Sequence, residues 1–196
     1  TLSSSSAASD VYKRQVVQQD HYSFCRNEVH DIVGAEVAAV RGGVGIMDIT
    51  AFTKIEVTGA AAADALQRLV ANRLPRKDGG IILTHLLNRR GRIEIEVTVI
   101  RLAEDRYYLV CAAFFEQRLL DHLAQNGGAS LDVVNRSTGW AALALQGPRS
   151  RDVLSQVTDA ALDNAGFRWL SAQQITIAGH DAVSYTHLRA HETSLH

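Results

Sequence analysis

Four residues of alternating type raise the functional question. Arg92, Glu94, Glu96 and Thr98 recur at every second position of the run Arg92-Ile93-Glu94-Ile95-Glu96-Val97-Thr98-Val99. In a β-strand this period puts them on one face, with the β-branched residues on the other. A carboxylate placed there either joins arginine on a solvated surface or points into a cleft, where it orients a cationic substrate or takes a proton. Spacing alone leaves both readings open. His85 lies in the apolar run Ile81–Leu87 and reads as a packed or partner-bonded histidine. Cys25, in a polar run, and Cys111, in an apolar one, both lack the surroundings of an activated thiolate. His187 and His191 stand at i, i+4, but Leu188 occupies the place where the HExxH zinc motif needs Glu, so no metal site is expected. Neither a GxxxxGK[ST] nor a GxGxxG phosphate loop occurs, and there is no GxSxG elbow. Arg41-Gly42-Gly43-Val44-Gly45 follows a helix rather than opening one, so it reads as a cap and turn, not a phosphate cradle.

The elements that must position these residues follow from periodicity. Val33, Val37 and Val40 recur at helical spacing and predict a helix over His30–Val40. Lys54–Thr58 alternates as a half-buried strand. Ala62, Ala65, Leu66 and Leu69 then mark an amphipathic helix ending near Asn72. Ile81–Leu87 and Ile93–Leu102 predict two strands joined by the polar turn Asn88-Arg89-Arg90-Gly91. Tyr107–Cys111 is apolar on both faces, the mark of a central strand. Phe115, Leu119 and Leu123 give a further helix, stopped at Asn126-Gly127-Gly128. Leu131–Val134 and Ala141–Leu145 are short strands, Pro148 opens a helix carrying Val153, Leu154 and Val157, and Ile175 and Ile177 sit in one last strand. The order strand–helix–strand–strand–helix–strand is that of a split βαβ, ferredoxin-like unit, so an α+β fold is expected, with helices flanking an antiparallel sheet.

Composition excludes several function classes. Lys+Arg 20 against Asp+Glu 21 leaves a net charge of −1, unlike a nucleic-acid binder acting through bulk charge. The 46% hydrophobic share is enough for a folded core over most of the length. Every apolar run is interrupted before the roughly 18 residues a membrane span needs. Two cysteines cannot build a disulfide framework, which points to a reducing, cytoplasmic compartment. The ends differ from the middle: Ser3–Gln15 and Ser184–Thr193 resemble translated sequencing-adaptor sequence. Residues 1–15 and 184–196 are therefore expected to be non-native tails, and 16–183 the natural, incomplete domain.

Four blocks in register then carry a resemblance. Gly45-Ile46-Met47-Asp48-Ile49-Thr50, Leu86-Leu87-Asn88-Arg89-Arg90-Gly91, Arg106-Tyr107-Tyr108-Leu109-Val110 and Ala144-Leu145-Gln146-Gly147-Pro148 are together similar to the folate-binding aminomethyltransferase family, which includes the glycine-cleavage T-protein. The runs Val29–Val37 and Arg101–Arg106 resemble more specifically the folate domain of FAD-dependent dimethylglycine and sarcosine dehydrogenases. The resemblance implies a T-protein-like fold that binds tetrahydrofolate. It also implies an upstream flavin domain, holding FAD, in the same polypeptide, and an N-methyl amine as substrate. The family's key aspartate falls at Glu96, its pterin-side tyrosine at Leu83, an asparagine after the central strand at Ala112, and its pocket methionine at Phe52, whose ring can stack on a pterin. Glu96 is thus the expected catalytic residue, with Phe52, Leu83 and Ala112 beside it in the cofactor site. Asp48 and Asn88 match the family and are expected to bridge turns.

The family continues beyond Val183 into a folate-tail block and a barrel, so the resemblance implies a fragment, inactive by itself. The leading expectation is a one-carbon transfer domain of an N-methyl amine dehydrogenase. The alternatives are a folate-binding regulatory or iron–sulfur maintenance protein, and a scaffold domain that has lost folate.

Overall fold

The computed structural model describes residues 24, 26, 29–128 and 131–186. Cys25, His187 and His191, with the residues expected to be tails up to Gln15 and from His187 onward, lie outside the described residues. A helix α1 (His30–Gly42) leads into strand β1 (Gly45–Asp48). Then follow β2 (Thr53–Thr58), α2 (Ala62–Leu69), β3 (Ile81–Leu87), β4 (Ile93–Ala103) and β5 (Arg106–Cys111). A single 3-10 turn at Ala113–Phe115 opens α3 (Glu116–Asn126), which is followed by β6 (Asp132–Asn135) and β7 (Leu143–Gln146). The short helix α4 (Ser150–Leu154) precedes a hairpin of β8 (Ala172–Ile177) and β9 (His180–Tyr185).

Five strands form the main sheet in the order β3-β4-β5-β2-β6, every neighbouring pair antiparallel. Read without β3, this is the strand order of a split βαβ unit; β3 adds an edge. The α+β expectation holds. β1 pairs with β7 and β8 with β9 as separate two-stranded ribbons.

One face of the sheet is the apolar core. Ile55, Val57, Val97, Val99, Tyr107 and Leu109 point there and meet Leu66 of α2 and Leu119 and Leu123 of α3. Leu119 and Leu123 are one helical turn apart, so both drop into the same seam. α2 ends at Leu69, earlier than the expected Asn72, because Val70 turns extended and bridges Leu86. The opposite face carries a smaller cluster of Ile81, Ile100, Leu102, Tyr108, Val110 and Ala172, covered by Trp140, Val183 and Tyr185.

Several sequence expectations change. Lys54–Thr58 is not half-buried: Thr53, Lys54, Ile55, Glu56 and Val57 are all buried, since β2 lies inside the sheet and its polar face is covered too. α1 forms as expected, yet it buries no residue, and Ile32, Val33 and Val37 stay exposed. Pro148 does not open a helix. α4 starts at Ser150, whose hydroxyl donates to Gly147 O at 2.6 Å, and it ends before Val157. Ile175 and Ile177 are not in the last strand: they pair with Ala182 and His180 of β9 across a two-residue turn. Both turn residues, Ala178 (φ 49°) and Gly179 (φ 84°), are left-handed, the twist a tight hairpin favours. Ser184 and Tyr185 are part of β9, opposite Gln173 and Ala172.

Gly147 holds the Leu145-Gln146-Gly147 block against the end of α1. Its φ is +117°, and a Cβ there would meet Gly43 O at 2.5 Å and Val40 O at 2.6 Å, so a side chain would force the two segments apart.

Candidate functional site

The sheet register gathers the expected site residues at one end of the face opposite the helices. Leu83 of β3 pairs with Thr98 of β4, Thr98 with Val110 of β5, and Val110 with Lys54 of β2. The next row begins with His85 opposite Glu96. Thr53 and Cys111 form the last pair between β2 and β5, and Phe52 and Ala112 stand immediately outside it. By strand alternation both continue the face that carries Lys54 and Val110. Glu96 and Phe52 are separated by β5, about 10 Å at two strand spacings. Phe52 and Ala112 are exposed, Leu83 is half-buried, and the Glu96 side chain is 61% exposed. The four positions therefore share one open sheet face rather than an enclosed cavity. Two surface depressions, of about 470 and 310 Å³, are lined by other residues.

Glu96 Oε2 lies 3.4 Å from His85 Nε2, an ion-pair distance when the imidazole is protonated. Glu94 does not share this environment. It is the extra residue of a β-bulge, since Leu86 pairs with Ile95 and Leu87 with Ile93. Its carboxylate instead accepts from Asn88 Nδ2 at 2.9 Å and pairs with Arg118 of α3. The expected single row of Arg92, Glu94, Glu96 and Thr98 is thus split by one inserted residue.

Lys54 is a component that sequence reasoning did not single out. It is 2% exposed, and its ammonium donates to Thr50 O and Phe52 O, both at 2.8 Å. Burial pushes its pKa down, and the charges of Glu116 and Asp48 oppose that. The lysine thereby clamps the loop 48–52 that carries the Phe52 ring. Ala142 holds the same loop from the side: Ile49 N–H donates to Ala142 O at 2.9 Å, and Ala142 N–H to Thr50 Oγ1 at 3.1 Å. Asp48 closes the turn by accepting from Thr50 N–H at 2.8 Å; hydrogen bonds from the Thr50 side chain and backbone hold its carboxyl below the usual range. The signal that could have exposed Lys54 was its parity with Phe52, two residues earlier on the same strand face.

Behind this end the face is fixed by a buried ion cluster. Glu56, 5% exposed, takes Arg106 Nε at 2.6 Å on one oxygen and Arg136 at 2.8–2.9 Å on the other. Burial alone would raise the Glu56 pKa, but the bonds from Arg136 and Arg106 outweigh it and hold the group ionised. Asn88 organises the β3–β4 turn, its Oδ1 accepting from Arg90 and Arg92 N–H at 2.9 and 3.0 Å. Asp48 and Asn88 thus both brace turns, in keeping with the sequence reading. Cys111 is buried, which raises its thiol pKa and keeps it unreactive. Among the described residues no group of three His, Cys, Asp or Glu could hold a metal, and no helix is long and apolar enough to cross a membrane.

The donor set suits a flat, N–H-rich heterocycle. An exposed phenyl offers a stacking surface, Leu83 and Ala112 offer apolar contact, and the Glu96 carboxylate accepts hydrogen bonds.

Known proteins resemble this chain in sequence and in fold. The GCVT N-terminal domain family matches residues 7–187. The chain is 29% identical over 191 residues to human mitochondrial sarcosine dehydrogenase, covering 89% of this chain and 21% of that protein. It is 33% identical over 133 residues to an aminomethyltransferase of Halothermothrix orenii, covering 67% of this chain and 37% of the other. The crystal structure of the glycine cleavage system aminomethyltransferase T from Bartonella henselae superposes with a TM-score of 0.60 at 28% identity, over 70% of this chain and 37% of that one. The chain therefore spans between about a fifth and two fifths of the length of these relatives.

Proposed function

Because the chain belongs to the GCVT N-terminal domain family, an aminomethyltransferase-type domain shared with sarcosine and dimethylglycine dehydrogenases, we propose that it supplies the folate-binding face of a one-carbon transfer domain in an FAD-dependent N-methyl amine dehydrogenase. The observation that carries this reading is the convergence of Phe52, Leu83, Glu96 and Ala112 on one end of one sheet face. An N-methyl amine such as dimethylglycine or sarcosine would be oxidised in a flavin domain of the same polypeptide. Bound tetrahydrofolate supplies the nitrogen nucleophiles that take up the resulting methylene unit. Phe52 would hold the pterin by stacking, with Leu83 and Ala112 offering apolar contact. Glu96 would accept a hydrogen bond from the attacking amine and take its proton as the new C–N bond forms and the iminium π pair returns to the substrate nitrogen. Lys54 keeps the Phe52 loop in place. The domain boundaries at 16 and 183 and a cytoplasmic location belong to the same proposal.

Fluorescence titration of the complete domain with tetrahydrofolate tests it. Saturable binding is expected, weakened about 2–10-fold by Phe52→Ala through loss of the aromatic contact. Absence of saturable binding in the complete, folded domain would overturn the folate reading and leave a scaffold role. In the complete dehydrogenase, Glu96→Gln should uncouple amine oxidation from methylenetetrahydrofolate yield; an unchanged yield would remove Glu96 from the mechanism.

A further inference from the structure

On the helix side of the sheet, away from the folate face, a depression of about 470 Å³ opens between α2 and the strand ends. Its wall includes Gln67 of α2, Arg73 and Arg76 of the following loop, Arg101 of β4 and Tyr107 of β5. Tyr107 is fully buried, and its hydroxyl finds no acceptor within the protein, since the Arg101 guanidinium beside it can only donate. A buried hydroxyl left in this state is rare in folded proteins and calls for a partner that is not protein. Burial pushes its pKa up, against the pull of the neighbouring Arg101 guanidinium. Asp78 takes Arg101 through Nε alone, at 2.8 Å, so the bond between them does not use the terminal nitrogens.

The loop bearing the other two arginines is already ordered. Gln67 Nε2 donates to Asn72 O at 3.0 Å, and Gln67 Oε1 accepts from Leu74 N–H at 2.9 Å. Pro75 stiffens the same loop between Leu74 and Arg76. Three guanidiniums face one carboxylate, Asp64, in the lining. Planar arginine forks match phosphate oxygens bidentately, and a phenol O–H donates to the same acceptors. The volume exceeds that of a bare oxyanion and falls in the range of small-molecule sites.

We infer that this depression is a binding site for a phosphate-bearing small molecule, with Arg73, Arg76 and Arg101 holding the phosphoryl oxygens and the Tyr107 hydroxyl completing their coordination.

The test is NMR titration of the chain with pyrophosphate, repeated with inorganic phosphate. Saturable shifts at residues 64–76, 101 and 107 are expected. The exposed double variant Arg73→Gln/Arg76→Gln should weaken binding at least about 10-fold, the loss of one bidentate contact or more. Tyr107→Phe should weaken it several-fold with little change in Tm, because the hydroxyl proton has no protein acceptor to lose. Arg89→Gln/Arg90→Gln, in the remote β3–β4 turn, should leave binding unchanged. Equal affinity for both probes identifies free phosphate as the ligand; preference for pyrophosphate identifies a larger phosphorylated metabolite. Two results would overturn the site: no saturable shift with millimolar pyrophosphate, or equal losses in the two arginine pairs, which would reduce the effect to surface charge.

Discussion

The two faces of the five-stranded sheet have opposite chemistry, though they are written in alternate residues of the same strands. On the helix face, Ile55, Val57, Val97, Val99 and Leu109 meet Leu66, Leu119 and Leu123, and each of these eight is at most 2% exposed. On the other face, the same strands present Lys54, Glu56, Glu96 and Thr98, and only part of it is covered, by Trp140, Val183 and Tyr185. The first face holds the fold together through apolar burial. The second keeps its charges in place by pairing or capping each buried one, while its far end stays open. What the contrast teaches is that one strand can carry an apolar core and an open, charged surface on its opposite parities.

Substitutions on each face sharpen or break this division. The largest loss of stability is expected on the helix face: Leu66→Ala should cost about 2–5 kcal/mol in urea unfolding, the range for a fully buried leucine. A loss below 1 kcal/mol would mean the helix layer does not carry the fold. Next comes the ion cluster. Glu56→Ala should cost about 1–3 kcal/mol, less than a fully buried pair, because Arg106 and Arg136 remain about a third or more exposed and can re-solvate. The Glu56 pKa is lowered in the folded state, so its contribution is complete above the ordinary glutamate range and lost as pH falls through the depressed value. The wild-type chain should therefore lose stability on acidification more steeply than Glu56→Ala, and parallel pH curves would exclude the cluster as the cause.

Lys54→Met should change stability by only about 1 kcal/mol, since relief from burying an ammonium offsets two lost hydrogen bonds. It should nevertheless loosen the Phe52 loop and weaken tetrahydrofolate binding by more than the stability change implies. The smallest stability effect is expected at Glu96→Gln, within about 0.5 kcal/mol, because the side chain is mostly exposed. Under the proposed function its effect is expected in the transfer step. A large thermal shift in this variant would class Glu96 with Glu56 as a structural carboxylate.

Local pattern was enough for most elements. The helical spacing of Leu119 and Leu123 and the doubly apolar run Tyr107–Cys111 both appear in the fold where expected. The hairpin turn at Ala178-Gly179 was missed because β9 reads as polar and irregular, and its pairing with β8 is settled by backbone bonds rather than by side-chain period. α4 was overextended because valine spacing reports an apolar stripe and says nothing about where the backbone stops being helical.

The sequence by itself determined which residues alternate, where chain direction changes, and which four blocks share a family. These are short-range properties, readable within a window of a few residues. Only the tertiary structure decided that β2 lies inside the sheet, that Glu56 is met by arginines 50 and 80 positions away, and that Lys54 is capped by the loop before it rather than left in water. Strand order joins segments far apart in the chain, and burial of a charge depends on what that order brings over it. No window along the sequence contains that information.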